Sequence, residues 1–207
     1  MQCTLSITPT IIGLVAVNEL NKYSEIERMI VSTYQAVSGS GHKGVEDLEN
    51  GLRGEEPKTY PHPIVNNCLP HIDKFLENGY TKEEIKMIDE TRKILGIPDL
   101  PVTATCVRVP VMNSHSVSIT AELERDFDLE EVKEALGNFA GMVLVDDVNS
   151  NEYPLASDAT GQDKVLVGRV RRDFSTEKGI NLWVVADNIR KGAATNAVQI
   201  AELFRGM

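Results

Sequence analysis

Arg108 and His115 stand seven positions apart in Cys106-Val107-Arg108-Val109-Pro110-Val111-Met112-Asn113-Ser114-His115-Ser116, on either side of a Pro-containing corner. A guanidinium can grip a carboxylate or phosphate with two parallel hydrogen bonds. An imidazole can move protons near neutral pH. An anion anchor and an acid/base group at one corner outline an active site. Taken alone, the same two residues also read as a surface arginine and a half-buried histidine. Glu83 and Lys86, in Lys82-Glu83-Glu84-Ile85-Lys86-Met87, share one face of a helix through their i, i+3 spacing. On their own they read as a solvated ion pair.

The three cysteines, Cys3, Cys68 and Cys106, are widely separated and odd in number. Their spacing fits no metal site, and a reduced, cytoplasmic setting is expected. Cys68 and Cys106 read as small core residues. Gly39-Ser40-Gly41-His42-Lys43-Gly44 matches G-x-G-x-x-G after a strand and before a helix. A dinucleotide site would need a second parallel strand within about thirty residues, ending in an acid for the ribose. The Pro-rich stretch that follows contains no such strand. The glycines instead suit a tight turn and close approach of a ligand to the backbone.

These groups need a scaffold, and the chain is long enough to build one. It has 207 residues, 42% hydrophobic and 25% charged, as in ordinary globular domains. The net charge of −10 argues against nucleic acid or an anionic membrane as partner. The apolar run Ile11 to Val17 is too short to span a bilayer and lacks a basic leader. One domain over 1–207 is expected.

Thr8-Pro9 reads as a helix start, with the helix continuing to about Lys22. A strand is expected over Met29–Tyr34, a short acidic helix over Gly44–Leu52 and an irregular excursion over 54–68. Helices follow at Leu69–Leu76 and Lys82–Leu95. The second half alternates in the manner of strands at Val102–Val109, Ser116–Leu123, Met142–Asp146, Lys164–Arg172 and Ile180–Ala186. Leu129–Leu136 and Ile189–Phe204 read as helices. The pattern predicts an α+β fold with a mixed, mainly antiparallel sheet covered by helices on one face.

Several stretches together resemble the catalytic half of the aspartate-β-semialdehyde dehydrogenases. They are Ser32-Thr33-Tyr34-Gln35-Ala36-Val37-Ser38-Gly39-Ser40-Gly41, Asn67-Cys68-Leu69-Pro70-His71-Ile72-Asp73, Val167-Gly168-Arg169-Val170-Arg171-Arg172-Asp173 and Ala186 to Gln199. With the Arg108–His115 corner and the 82–87 helix, the likeness runs from about Thr8 to Phe204. It implies the C-terminal, catalytic and dimerisation domain of a glyceraldehyde-3-phosphate-dehydrogenase-like fold. Enzymes of that family interconvert aspartyl phosphate and an aldehyde through a cysteine thioester, with hydride from NADPH.

By this resemblance His115 is the acid/base group and Arg108 holds the substrate carboxylate. Gln35 orients substrate and acyl intermediate, and Ser38 and Gly39 belong to its loop. Glu83 recognises the substrate amine and Lys86 the phosphate. Asn188, Gly192 and Asn196 border the cofactor. The family's nucleotide-binding domain precedes this region, so this chain alone is expected to bind no cofactor, and the helix within 189–207 would pack toward that domain. A homodimer is implied.

The nucleophile departs from the family's Asn-Cys-Ser/Thr-Thr pattern. An ungapped match on Leu14-Val15-Ala16-Val17 puts Thr8 at the cysteine position and Ile7 at the asparagine. The nearby cysteine is Cys3, five residues earlier. Two functions therefore compete: the catalytic domain of such a dehydrogenase, and a non-catalytic dimerisation or ligand-binding domain derived from it. The related reductase acting on an acyl phosphate of N-acetylglutamate fits the Gln35 loop and the Glu83/Lys86 helix less well.

Overall fold

The computed structural model describes residues 8–205, apart from the side chains of Asn196 and 203–205. Cys3 lies outside that range. Six strands form one sheet in the order β2-β1-β3-β6-β5-β4. They are β1 (Ile26–Gln35), β2 (Val102–Arg108), β3 (His115–Leu123), β4 (Met142–Leu144), β5 (Val165–Asp173) and β6 (Gly179–Ala186). The β1/β2 and β4/β5 pairs are parallel, while β1/β3, β3/β6 and β5/β6 are antiparallel. The mixed, mainly antiparallel α+β sheet read from the sequence is therefore the observed one.

Alternation decides which face is covered. In β3 the odd positions Val117, Ile119, Ala121 and Leu123 are buried, and the even positions Ser118, Thr120 and Glu122 are half-exposed. The odd face packs against α1 (Thr8–Tyr23), α3 (Lys82–Leu95) and α4 (Leu129–Asn138). Their apolar residues Ile12, Ala16, Leu20, Met87, Ile88, Val132 and Leu136 join those of the strands in one core. On the opposite face, toward β5 and β6, Ala156 and Ala159 of the short helix α5 (Ala156–Ala159) pack on Leu166, Val185 and Trp183.

Helix ends are fixed by local chemistry. The Thr81 side chain accepts from the Glu84 amide and the Glu84 carboxylate accepts from the Thr81 amide, a reciprocal capping box. Gly96 ends α3 with φ of 73°, a left-handed conformation that glycine adopts without strain. Asp128 caps α4 by accepting from the Glu130 and Glu131 amides.

Four expectations need correction. No helix forms over 69–76: Leu69 instead pairs with Arg108 on the outer edge of β2, and Phe75 bridges to Thr81. Each of Leu69 and Arg108 donates its amide to the other's carbonyl, at 2.9 and 2.8 Å. Those bonds take the groups a helix would need, and Asp73 at φ 64° turns the chain away. Cys68, at the start of this segment, is exposed rather than in the core, whereas Cys106 is fully buried. The helix expected from Ile189 begins as a π-helical turn, Arg190–Ala194, before α6 (Thr195–Arg205). A 3-10 turn at Val37–Ser40 leads into α2 (His42–Leu52), two residues earlier than expected.

Candidate active site

Strand direction assembles the site. β1, β2 and β6 run the same way and β3 runs against them, so Gln35, Arg108 and Asp187-Asn188 end up beside the first residue of β3, His115. Gln35 stands opposite Arg108, and His115 opposite Ala186. The amide, the guanidinium and the imidazole share one end of the sheet. Gln35, Arg108 and His115 are 2%, 5% and 2% exposed.

The turn after β1 runs over them. Arg108 Nη1 donates to the Ala36 carbonyl at 2.7 Å, and the Ala36 amide donates to His115 Nδ1 at 3.0 Å. Gly39 comes next to both side chains. A methyl group there would lie 2.8 Å from Arg108 Nη1 and 3.2 Å from His115 Nε2. Only glycine lets the backbone approach this closely. The Gly39–Gly44 motif thus presses on substrate-type groups. The parallel neighbour of β1 arrives only at Val102 and ends in a cation, Arg108.

Gln35 Nε2 donates to Thr33 Oγ1 at 3.2 Å and to Glu83 Oε1 at 3.4 Å. Through that bond the opening of α3 reaches the sheet end. Lys86 pairs with Asp73 at 3.6 Å, both partly exposed. The Asn188 Nδ2 donates to the Ser38 hydroxyl at 3.0 Å, and its Oδ1 accepts from the Ser114 amide at 2.8 Å. Asn188 is therefore a clasp between the Gln35 loop, the β2–β3 corner and the end of β6.

Burial sets the electrostatics. It pushes the His115 imidazole down to about 3, with the Arg108 charge adding to the effect. Burial raises the Glu83 carboxyl, against the opposing hydrogen bond from Gln35 and the charges of Lys86 and Arg108. Burial also lowers Arg108, which still stays a cation. The Cys106 thiol is pushed up to about 12 by burial, and so is an inert core group. The Nε of Arg108 is buried without a hydrogen-bond partner. An orphaned donor on a buried cation is costly unless a ligand meets it.

Several contributors carried no signal that sequence reading used. The backbone of Ala36 serves both Arg108 and His115, and backbone groups are silent in composition. The Tyr60 hydroxyl, from the Pro-rich excursion, donates to Ser40 Oγ at 3.0 Å. Glu84 is 7% exposed and accepts from the Cys106 amide at 3.0 Å, binding α3 to β2. Its place in a Thr-x-x-Glu pattern was legible.

Thr8 opens α1, and its hydroxyl donates to the Gly192 carbonyl at 3.3 Å. The Gly192 α-carbon packs against the Thr8 side chain with no room for a methyl group. A nicotinamide group would need free donors and open backbone here. The Asn188 amide is committed and Gly192 is covered by Thr8. The Asn196 side chain lies outside the described residues. The described residues do not compose a nucleotide site, and no step through a nicotinamide is derived. Among them no cluster of three or more His, Cys, Asp or Glu side chains could hold a metal. No described helix is long and apolar enough to cross a membrane.

A mixed sheet with a buried Gln-Arg-His group at one strand end defines a class: the chain belongs to the semialdehyde dehydrogenase dimerisation-domain family, whose model matches residues 18–191. It is 52% identical over 202 residues to an aspartate-semialdehyde dehydrogenase of Aquifex aeolicus (strain VF5), covering 94% of this chain and 59% of the relative. It is 48% identical over 203 residues to aspartate-semialdehyde dehydrogenase 2 of Vibrio cholerae, covering 94% and 59%. The crystal structure of Vibrio cholerae aspartate semialdehyde dehydrogenase II complexed with ASA superposes with a TM-score of 0.91 at 47% identity, covering 96% of this chain and 60% of that one. The chain spans about three fifths of the length of the relatives it matches.

Proposed function

We propose that this chain is the catalytic half of an aspartate-semialdehyde dehydrogenase, a cytoplasmic enzyme of amino-acid biosynthesis leading to lysine, threonine and methionine. The reaction is reductive dephosphorylation of aspartyl phosphate to aspartate semialdehyde through a cysteine thioester, and NADPH, when bound by a complete enzyme, supplies the hydride. The chain by itself is inactive in this reading. It forms a homodimer, consistent with the dimerisation-domain match.

Arg108 grips the substrate carboxylate, and its partnerless buried Nε is the observation that carries the reading. His115, 3.2 Å from a methyl position on Gly39, is the acid/base group above the same backbone. Gln35 orients the reacting carbonyl, and Glu83, within reach of it at 3.4 Å, takes the substrate amine. Ser38 and Gly39 form the floor. Lys86 leaves Asp73 to meet phosphate. Asn188, Gly192 and Asn196 edge the cofactor side only after Thr8 moves off Gly192.

The test is phosphate-dependent oxidation of aspartate semialdehyde with NADP. Activity is expected when the chain is joined to the remaining two fifths of the Aquifex relative, and Arg108→Lys should raise KM for the aldehyde strongly. A joined protein that folds, dimerises and shows no turnover removes the catalytic reading.

One observation favours a second reading. Thr8 occupies the opening of α1 where the family places its cysteine, and a hydroxyl there has no lowered pKa. A non-catalytic dimerisation or ligand-binding domain would keep Arg108 and Gln35 and need no nucleophile. Iodoacetamide separates the two: rapid alkylation of Cys3 at neutral pH supports the enzyme, and an ordinary thiol rate supports the binding domain.

A further inference from the structure

Gly44 is buried in the first turn of α2, where its backbone is helical and alanine would be the better residue. Space excludes alanine. A methyl group there would lie 2.6 Å from the Tyr60 hydroxyl and 2.8 Å from Ser40 Cβ. The glycine leaves a slot beside the turn that carries Ser38 and Gly39, and the Tyr60 side chain enters it.

Tyr60 comes from the Pro-rich excursion, and Asp47 of α2 fixes that segment. Asp47 is 3% exposed. One carboxylate oxygen accepts from the Lys58 amide at 2.8 Å, and the other accepts from the Thr59 and Tyr60 amides, each at 2.9 Å. Three backbone donors on one buried carboxylate hold the chain in a single geometry. The Tyr60 ring packs on a small core of Val37, Leu48, Ile64 and Leu69, separate from the main one. Its hydroxyl donates to Ser40 Oγ at 3.0 Å and comes within 3.5 Å of the Val37 carbonyl. Val37 and Ser40 are the two ends of the 3-10 turn. Between them, Ser38 is bonded to Asn188 and Gly39 stands against Arg108.

We propose that Tyr60 is a positioning residue for the candidate site: from the slot beside Gly44 its hydroxyl clamps both ends of the Val37–Ser40 turn and fixes Gly39 against Arg108, with Asp47 acting through it. This deepens the reading above and rests on it for the ligand, a carboxylate gripped by Arg108. The turn is tied from two sides. Toward the β2–β3 corner, the Val37 and Ser38 amides donate to the Val111 and Met112 carbonyls at 2.9 and 3.2 Å. Toward α2, Tyr60 meets a carbonyl and a hydroxyl that the corner does not reach. Burial lowers Arg108, and Tyr60 is among the groups that oppose it, so the phenol stands in the arginine's electrostatic neighbourhood. A ligand grip needs its wall at a fixed height, because a two-pronged bond tolerates little misplacement.

The experiment follows the Arg108 Nε–H signal in 1H–15N spectra of the 15N-labelled full chain, assigned by its loss in Arg108→Lys. That N–H is buried and without a partner, so a small displacement of the turn above it changes its surroundings. Tyr60→Phe keeps the packing ring and removes the hydroxyl. It is expected to move the signal, and to weaken calorimetric affinity for aspartate semialdehyde by about threefold to tenfold, the worth of one net hydrogen bond. Gly44→Ala, which closes the slot with the phenol still present, is expected to move the same signal. Asp47→Ala should move it too, and should add little on top of Tyr60→Phe. Asp47→Asn, with one acceptor oxygen left, should move it less. A Tyr60 that only shores up the excursion would leave the Arg108 signal in place. A wild-type signal in Tyr60→Phe, or wild-type affinity in that variant, overturns the proposal, and additive shifts overturn the role given to Asp47. The spectra need no ligand. A wild-type chain that binds no aspartate semialdehyde, yet whose Arg108 signal responds to Tyr60→Phe, sinks the dehydrogenase reading and leaves the clamp standing. A chain that binds it while ignoring Tyr60→Phe does the reverse.

Discussion

Gly39 and Arg108 are in such close register that a methyl group on the glycine would sit 2.8 Å from the arginine Nη1. The guanidinium has little freedom to yield, because the Ala36 carbonyl holds Nη1 at 2.7 Å and the head group is buried. Gly39→Ala should therefore push Arg108 out of line while leaving the core beneath α1 untouched. The expected outcome is a loss of at least about tenfold in affinity for a carboxylate ligand, since misplacing a two-pronged charged bond costs about 1.5–3 kcal/mol. Calorimetric titration with aspartate semialdehyde or an unreactive analogue would measure it. Unchanged affinity would show that the ligand does not use this guanidinium.

Glu84 offers a test of how the site is held rather than of what it binds. Its carboxylate accepts from Thr81 at 2.7 Å and from Cys106 at 3.0 Å, so Glu84→Ala leaves two buried amides without partners. Each such group costs about 1–3 kcal/mol. A thermal melt should show a drop of roughly 5–20 °C for a chain of this size. Glu84→Gln keeps one acceptor oxygen and should recover about half of that loss.

The elements that sequence reading located best were those whose local signals agreed with their packing. α3 had a Thr81/Glu84 box at one end and Gly96 at the other, and its observed span, Lys82–Leu95, coincides with the expected one. β3 alternated cleanly because one face is buried. The 69–76 stretch misled because its apolar spacing suits a helix, whereas the outer edge of β2 claimed both backbone groups of Leu69. Pairing to a strand more than thirty positions away leaves no local trace. The same holds at the site. Arg108 and His115 were legible as residue types, but the Ala36 backbone that aims both of them is visible only in three dimensions.

Burial of a neutral His115 makes stability depend on pH in a definite direction. The unfolded histidine takes its proton near pH 6.5, the folded one only near about 3. Between those values the unfolded chain holds the extra proton, so stability is complete above pH 6.5 and falls as pH falls. The slope is about 1.4 kcal/mol per pH unit well below 6.5. Glu83, whose carboxyl is raised by burial, works in the opposite sense near its own range. Urea denaturation at pH 7, 6 and 5 should show the decline, and His115→Gln should flatten it. A wild-type curve flat down to pH 5 would mean that the imidazole is accessible and charged.

Thr8 gives the sharpest comparison among the thiols. Cys106 is buried with its thiol pushed up to about 12, so it should resist iodoacetamide in the native state. Cys68 is exposed in an irregular segment and should be open to the reagent. Thr8→Cys would place a sulfur at the opening of a 16-residue helix, where amide N–H groups and the helix dipole favour the thiolate. Pro9, next in the chain, gives up no donor that the helix needs, because the first-turn amides have no partner within the helix. Peptide mapping after timed alkylation at pH 7 should find the new cysteine modified at least about tenfold faster than Cys68, which corresponds to a thiol pKa lowered by roughly one unit or more. Equal rates at the two positions would mean that the opening of α1 does not activate a thiol, and that replacing the threonine cannot by itself supply the missing nucleophile.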